Sequence, residues 1–517
     1  MKNARFLSLL PSAAFLLLTW FWAAWWMGDI GLMAYENSFV TADSTLMHWL
    51  WQQPFGVLWI VGRVLLLTYH WPWVGGLLVA VLLTAGSWLV GYCLRMPQRW
   101  RFLQYLPAGV WMTWVAWLGL NVFYQHEPGR PLGVLFLVVL VCAIDAFIIW
   151  TFKSRRKSVV TADVKSKKPA VPHYSFYLLH LLVFLLCLSV PMALTHARYP
   201  YARPVTRMQV QMQQQDWNGM AETARANAHL SYRPLAAYYA VALVHNGRLA
   251  DDLFDIRLDY DTLYLKDRAG KGDVGSNYYT IDCNFHAGLV RPATHRAMEL
   301  LTMEGPSLFS LKMLTRCALL DHHWQLARKY LHIIGKAPFE GAFVEKYSAM
   351  IEHPELIDAD PEFNVVQRTM PIEDSFESMY QEPIFLGYAV DLMQGRSKEA
   401  LIQSLMANLY SKRMPAFLMR CEPLVGTTPP LSIGQGLVTQ ARKFPDVLKA
   451  FPSLDMEMRR FVSFLQVVQP YMQDRPRGGI ELFDQYHGYY PYYYFFGNLK
   501  ATRKTNTQDS SSAAGVN

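Results

Sequence analysis

"KSRRKSVVTADVKSKKPAVP", residues 153–172, carries seven Lys or Arg and a single acidic residue, and long apolar runs lie directly on both sides of it. A basic stretch in that position is a nucleic-acid arm, a domain linker, or the marker of which side of a membrane its flanks occupy. The distribution of charge separates these readings. Residues 1–194 hold 14 Lys/Arg and 6 Asp/Glu, whereas residues 195–517 hold 34 of each, so the formal net charge of +8 belongs to the first 194 residues. Basic residues set between apolar runs are the pattern of membrane loops, so no nucleic-acid partner is expected.

A membrane-spanning helix needs about 20 apolar residues. Five stretches meet that length: 6–28, 74–94, 104–124, 132–152 and 174–194. A sixth, 54–69, is shorter and contains Arg63; it is either a short span or a re-entrant piece. The first run follows Lys2 and Arg5 as a signal peptide would, but its apolar region is too long and no clear cleavage site follows, so it reads as a retained helix. Trp and Tyr gather near the run ends, where amphipathic rings settle at lipid headgroups.

Orientation follows from the positive-inside tendency. The loop 95–103 carries Arg95, Arg99 and Arg101, and the connector opens with Lys153, Arg155, Arg156 and Lys157. The loop 125–131 has only Arg130, beside Glu127, and the loop 29–53 has no basic residue before its last His. Two spans separate the basic loops, so both can be cytoplasmic, and span 174–194 then carries the chain out to the periplasm. The opening stretch is therefore a cytoplasmic connector. Six full crossings would place Lys2 and Arg5 outside; one net crossing over 54–94, with a re-entrant turn at "YHWPW" (69–73), would place them inside. The side of the C-terminal part is the same in both.

From residue 205 the pattern is helical with Gly and Pro breaks. "QQDWNGMAETARA" (214–226), "HNGRLADDLF" (245–254) and "DHHWQLARKYL" (321–331) share a layout in which a helical run turns and re-enters a helix at Trp217, Leu249 or Trp324. Leu314, Ala318, Ala327 and Leu331 fall where a tetratricopeptide-type helix pair places its contact residues, and such repeats recur every 34 residues or so. The expected fold is all-α: a bundle of five to six transmembrane helices followed by a tetratricopeptide-like α-solenoid. Its segments are 1–152 (transmembrane helices), 153–173 (basic cytoplasmic connector), 174–194 (last span), 195–500 (helical repeats outside the cytoplasm) and 501–517, a polar tail of disordered composition. Residues 267–280 read as a long loop. The aromatic segment 478–498 reads as a terminal helix capping the last repeat, with a membrane or partner contact as the alternative.

The stretches "QQPFGVLWIVGRVLLLTYHWPWVGGLL" (52–78), "DWNGMAETARANA" (216–228), "AYYAVALVHNGRLADDLF" (237–254), "DHHWQLARKYL" and "YYPYYYFFG" (489–497) resemble an uncharacterised family of multi-pass inner-membrane proteins from Bacteroidota. That resemblance implies a helical membrane region followed by a tetratricopeptide-like region, and it transfers no reaction.

Chemistry-bearing motifs are scarce. "GKGDVG" (270–275) matches GxGxxG but follows a charged stretch rather than a strand, so it reads as a loop. The six cysteines show no CxxC spacing, and His322 and His323, placed on a helix, would point apart. No catalytic residue, metal site or cofactor is expected. The informative residues are the charges Arg63 and Asp145 inside apolar runs, each costing about 2.5–3.5 kcal/mol at bilayer depth unless it faces a partner or water. They pair with other groups, perform the pairing together, or line a polar cavity to which the first-loop acids Glu36 and Asp43 contribute. The expected function is a membrane protein that presents a helical-repeat interaction domain in the periplasm, as a scaffold or accessory subunit of a cell-envelope complex, with the lipid bilayer and an envelope protein as partners. The alternative is a membrane-embedded transferase or transporter acting on a lipid-linked or small polar substrate near Arg63 and Asp145.

Overall fold

The structure, a computed structural model, describes residues 2–118, 127–157, 174–230, 232–258, 276–372 and 397–497. Residues 119–124 of the third long apolar run, most of the basic connector, the "GKGDVG" stretch and the tail 501–517 lie outside them. Every regular element among the described residues is helical. The chain forms two units. The first gathers residues 1–206 with 301–311 and 332–344, and the second gathers 207–300, 312–331 and 345–517.

In the first unit, α1 (Lys2–Phe21) runs into a π-turn at Trp22–Trp26. It is followed by α2 (Gly28–Glu36), α3 (Ser44–Gln52), α4 (Gly56–Leu66), α5 (Pro72–Cys93), α6 (Leu106–Leu118), α7 (Arg130–Lys157) and α8 (Tyr174–Arg198). Among the described residues, four helices are long and apolar enough to cross a membrane: Leu9–Trp26, Pro72–Cys93, Arg130–Phe152 and Phe176–Arg198. Their outward faces are apolar. On α7, Leu137, Val138, Val141, Ile144, Phe147 and Trp150 are exposed, and α8 exposes Leu178, Leu181, Leu182, Leu185 and Leu186. Continuous apolar surface of this extent calls for an apolar solvent or partner.

Glycines set the closest helix approaches. A side chain at Gly62 of α4 would meet the carbonyl of Gly129 at 2.3 Å, and one at Gly133 of α7 would meet the Leu58 carbonyl at 2.5 Å. So α4 runs backbone to backbone along the start of α7. The stretch between α1 and α3 reads as a loop in the sequence, but it is α2 followed by an extended run, and residues 30, 31 and 33–41 are all buried. Its reason is local: "GDIGLMAYE" has small residues that let Tyr69 pack flat against Gly31 and Gly75.

The second unit is built from helices joined by one recurrent turn. Gln215, Gly247, Gly288, His322 and Lys412 are left-handed, with φ between 56° and 80°. Each donates its N–H three residues back, and the next residue donates five residues back: Asp216 to Gln211, Arg248 to Leu243, Leu289 to Asn284, His323 to Ala318 and Arg413 to Asn408, at 2.8–2.9 Å. This is the Schellman helix stop. In every case the next helix begins two residues after the left-handed one, at Trp217, Leu249, Val290, Trp324 and Met414. Residues 235–243 of the helix Arg233–His245 are buried all round, as are residues 403–411 of Lys398–Ser411. The aromatic terminal segment is core: Tyr490 is fully buried, its hydroxyl donates to the Leu409 carbonyl, and Tyr493 donates to the Tyr410 carbonyl. These contacts bury both rings within the second unit.

Candidate functional site

Arg63 occupies the last turn of α4, where the carbonyl end of the helix favours a cation. It is 2% exposed. Its Nη1 donates to the Phe39 carbonyl at 3.0 Å and its Nη2 to Glu127 Oε1 at 3.0 Å. The Gly62–Gly129 contact is what brings Glu127 within reach, because Glu127 lies two residues before Gly129 at the entrance to α7. Asp145 is not the partner of Arg63. It sits on the exposed side of α7 among Val141, Ile144, Phe147 and Ile148, and its carboxylate meets the Cys93 thiol of α5.

The two first-loop acids diverge. Glu36, at the end of α2, is buried. Asp43 caps α3 by accepting from the Thr45 N–H and is ion-paired with Lys336 at 3.1 Å. Beside them, the Tyr35 hydroxyl donates to Glu340 Oε1 at 2.7 Å, the Leu308 N–H donates to the Ser38 carbonyl, and the Phe339 ring stacks on His70. Burial, with the Glu340 charge, pushes the Tyr35 hydroxyl far above its ordinary range, so it stays a donor. Of the residues read from the sequence as topology markers, Arg95 is exposed in the turn after α5, and Arg99 and Arg101 are exposed in the short 3-10 segment before α6; Lys153, Arg155, Arg156 and Lys157 close α7.

The proposed repeat anchors each stand first in a helix. Leu249 is buried, but Trp217 and Trp324 are only half-buried. Trp217 stacks face to face on His245 at 3.8 Å, and Trp324 tilts against His322. Both tryptophans are covered on one side only, because each sits at the mouth of its turn.

A second charged cluster lies inside the second unit, and no motif announces it. Asp282 and His286 share a face of the helix Ser276–His286, one turn apart. Tyr238 donates to Asp282 Oδ2 at 2.9 Å and accepts from Gln209 Nε2 at 3.0 Å. Arg316 reaches Glu362 at 3.5 Å and donates to the Tyr347 hydroxyl at 3.1 Å. Gln215 also donates to Glu362, whose other oxygen is 3.8 Å from His286 Nε2. The second nitrogen of His286 is 3.0 Å from His245. Burial pushes the Asp282 carboxyl up to about 7, only partly opposed by Tyr238 and Arg316. Burial and then the Arg316 charge push His286 down to about 3. For Arg316 burial acts against the charge, but Glu362 and Tyr347 outweigh it and hold the guanidinium charged. One guanidinium thus stands near two acids, in contact with Glu362 and within electrostatic reach of Asp282. Among the described residues, no group of three His, Cys, Asp or Glu side chains is placed to hold a metal ion.

These features define an all-helical protein whose first unit carries several membrane-length apolar helices and whose second unit is a helical domain with a buried polar centre. The chain belongs to the family of unknown function DUF6057, whose model matches residues 108–497. No curated protein matches, and no solved structure matches.

Proposed function

We propose that this chain is a multi-pass inner-membrane protein that holds a helical-repeat domain in the periplasm, where the repeats bind an envelope protein as a scaffold or accessory subunit. The observation that carries this reading is the recurrence of one Schellman turn at five helix junctions of the second unit. Helix pairs joined by identical turns are the elements from which solenoids are stacked. Orientation has independent support within the first unit. Arg203 lies 3.6 Å over Trp26, at the far end of the first apolar helix, and Arg198 lies 4.2 Å over Trp117, at the end of α6. Together with the bonds from Leu308, Lys336 and Glu340 to the stretch 35–43, these contacts favour an exit of the chain on the side of the first loop, opposite the basic residues at 95–101 and 153–157. The transferase or transporter reading has less support: Arg63 is enclosed and neutralised by Glu127, and Asp145 is not joined to it.

Affinity capture of the intact protein in mild detergent tests the proposal. A stoichiometric protein partner, lost when the exposed Met419 and Met456 of the second unit are replaced by Asp, is the expected result. Co-purification of a lipid-linked species without any protein partner would contradict it.

A further inference from the structure

We infer that α3 and α4 form a re-entrant hairpin that enters one leaflet of the bilayer from the first-loop side and returns to that side, with its tip packed by acyl chains. This rests on the membrane reading above and goes beyond it. Both ends of the hairpin meet the same short segment. At the entry, Asp43 is ion-paired with Lys336. At the exit, His70 and Trp71 pack on Phe339, with ring centroids 5.1 and 4.9 Å away. A segment whose two ends are fastened to residues three positions apart has not crossed a bilayer between them.

The helix lengths agree. α4 has 11 residues, or about 16 Å at 1.5 Å per residue, against a hydrocarbon core of about 30 Å. Its depth can be read from α7. Gly62 touches Gly129, just before α7 begins, and Leu58 touches Gly133, one turn farther in. The start of α4 at Gly56 is therefore about 9 Å deeper than Gly62, within the near leaflet. Arg63 stays near the level of the Gly129 entrance, so its charge never reaches bilayer mid-depth.

The tip has the surface of a lipid contact. Trp51, Phe55 and Val57 are exposed, Phe55 to 82%, and Phe55 is held in a left-handed turn at φ 64°; the amide of Gln52, exposed beside them, is bonded to His48 at 2.8 Å. This patch carries on the apolar character of the exposed faces of α7 and α8, and acyl chains are the occupant with matching chemistry. One consequence concerns sidedness. With the hairpin contributing no crossing, the five remaining apolar runs place Lys2 and Arg5 on the same side as Arg95, Arg99, Arg101 and the basic connector. Six crossings would put them opposite. The re-entrant turn thus lies at residues 52–55, while the "YHWPW" bend returns at the first-loop face.

The test is a nitroxide at Phe55→Cys in the full chain, reconstituted into phosphatidylethanolamine–phosphatidylglycerol vesicles, with the half-buried Cys93 and Cys142 changed to Ala. Collision rates with oxygen and with a water-soluble nickel chelate report depth. Ile144→Cys on α7 serves as the membrane control and Ser44→Cys as the surface control. The expected result is an oxygen-rich, nickel-poor signal at 55 and at 144, and a nickel-accessible signal at 44. Nickel access at 55 with 144 still in lipid would overturn the hairpin alone. Nickel access at both 55 and 144 would overturn the membrane reading and the hairpin with it.

Discussion

Arg63 and Glu127 stand 64 positions apart in the chain and 3.0 Å apart in the fold, joined where α4 meets the entrance to α7. The pair explains how an arginine is tolerated in an apolar run. Its charge is matched, its second branch is held by the Phe39 carbonyl, and both groups are shielded. Removing one member leaves the other buried and uncompensated, which costs about 3–5 kcal/mol. Glu127→Gln should therefore lower the melting temperature of the detergent-solubilised protein sharply, and Arg63→Gln/Glu127→Gln should be milder than the two single losses added together. Asp145→Asn should couple to neither. Additive losses at 63 and 127 would show that the contact stores no interaction energy.

The same junction predicts intolerance at Gly62. A methyl group there would lie 2.3 Å from the Gly129 carbonyl, a contact between two backbones that no rotamer change relieves. Gly62→Ala should separate α4 from α7 and so lose the ion pair as well. Its cost should match or exceed that of Glu127→Gln, measured as thermal stability of the intact chain. A neutral Gly62→Ala would mean that the two helices do not approach as closely as described.

The buried cluster of the second unit makes a pH prediction. Asp282 has a folded pKa raised to about 7 from 3.8, so the folded chain holds a proton that the unfolded chain releases, and its contribution to stability declines from about pH 4 to pH 7. His286 has a folded pKa lowered to about 3 from 6.5, and His245 is lowered too. For these the unfolded chain binds the extra protons, so their contribution rises with pH, for His286 over about 3 to 6.5. The opposing slopes offset each other in the native protein between about pH 4 and 6.5. Asp282→Asn removes only the declining contribution, so stability should climb more steeply with pH in that window than it does in the native chain. An unchanged profile would show that Asp282 is ionised in the fold.

The recurrent turns make a backbone prediction with opposite signs. His322 is exposed and left-handed, a conformation that costs a non-glycine residue about 1–2 kcal/mol. His322→Gly should be neutral or stabilising. Gly288→Ala should destabilise, because it pays the same penalty and its methyl group would lie 2.5 Å from the backbone at Thr369 and Met370. Urea titrations of the two variants separate these outcomes, and a stabilising Gly288→Ala would contradict the turn assignment.

Those turns also show what the sequence could and could not reveal. The long apolar helices are legible because length and hydropathy are local properties. The junctions at 215, 247 and 322 are legible through the apolar residue that restarts the helix. The equivalent junctions at 288 and 412 escape notice, since Val290 and Met414 carry no distinctive side chain and Lys412 adopts φ 56° without a glycine to signal it. Arg63 is conspicuous, but its partner is not: Glu127 reads as an ordinary loop charge until the two glycines are seen to touch. Asp282, Arg316 and Glu362 belong to three separate helices, and only the tertiary fold gathers them. The half-exposure of Trp217 and Trp324 has a similar origin, because a residue at the mouth of a turn is covered on one side only.

The central claim is that the chain following α8 lies on the side opposite the basic loops, and an impermeant thiol reagent tests it directly. Lys449→Cys, exposed in the second unit, and Arg99→Cys, exposed after α5, are introduced singly into the full chain, with the unsubstituted protein as the blank. In sealed spheroplasts Lys449→Cys should be labelled at once, and Arg99→Cys only after the membrane is permeabilised. Labelling of Arg99→Cys in sealed cells, with Lys449→Cys protected until permeabilisation, would contradict the orientation and the function proposed from it.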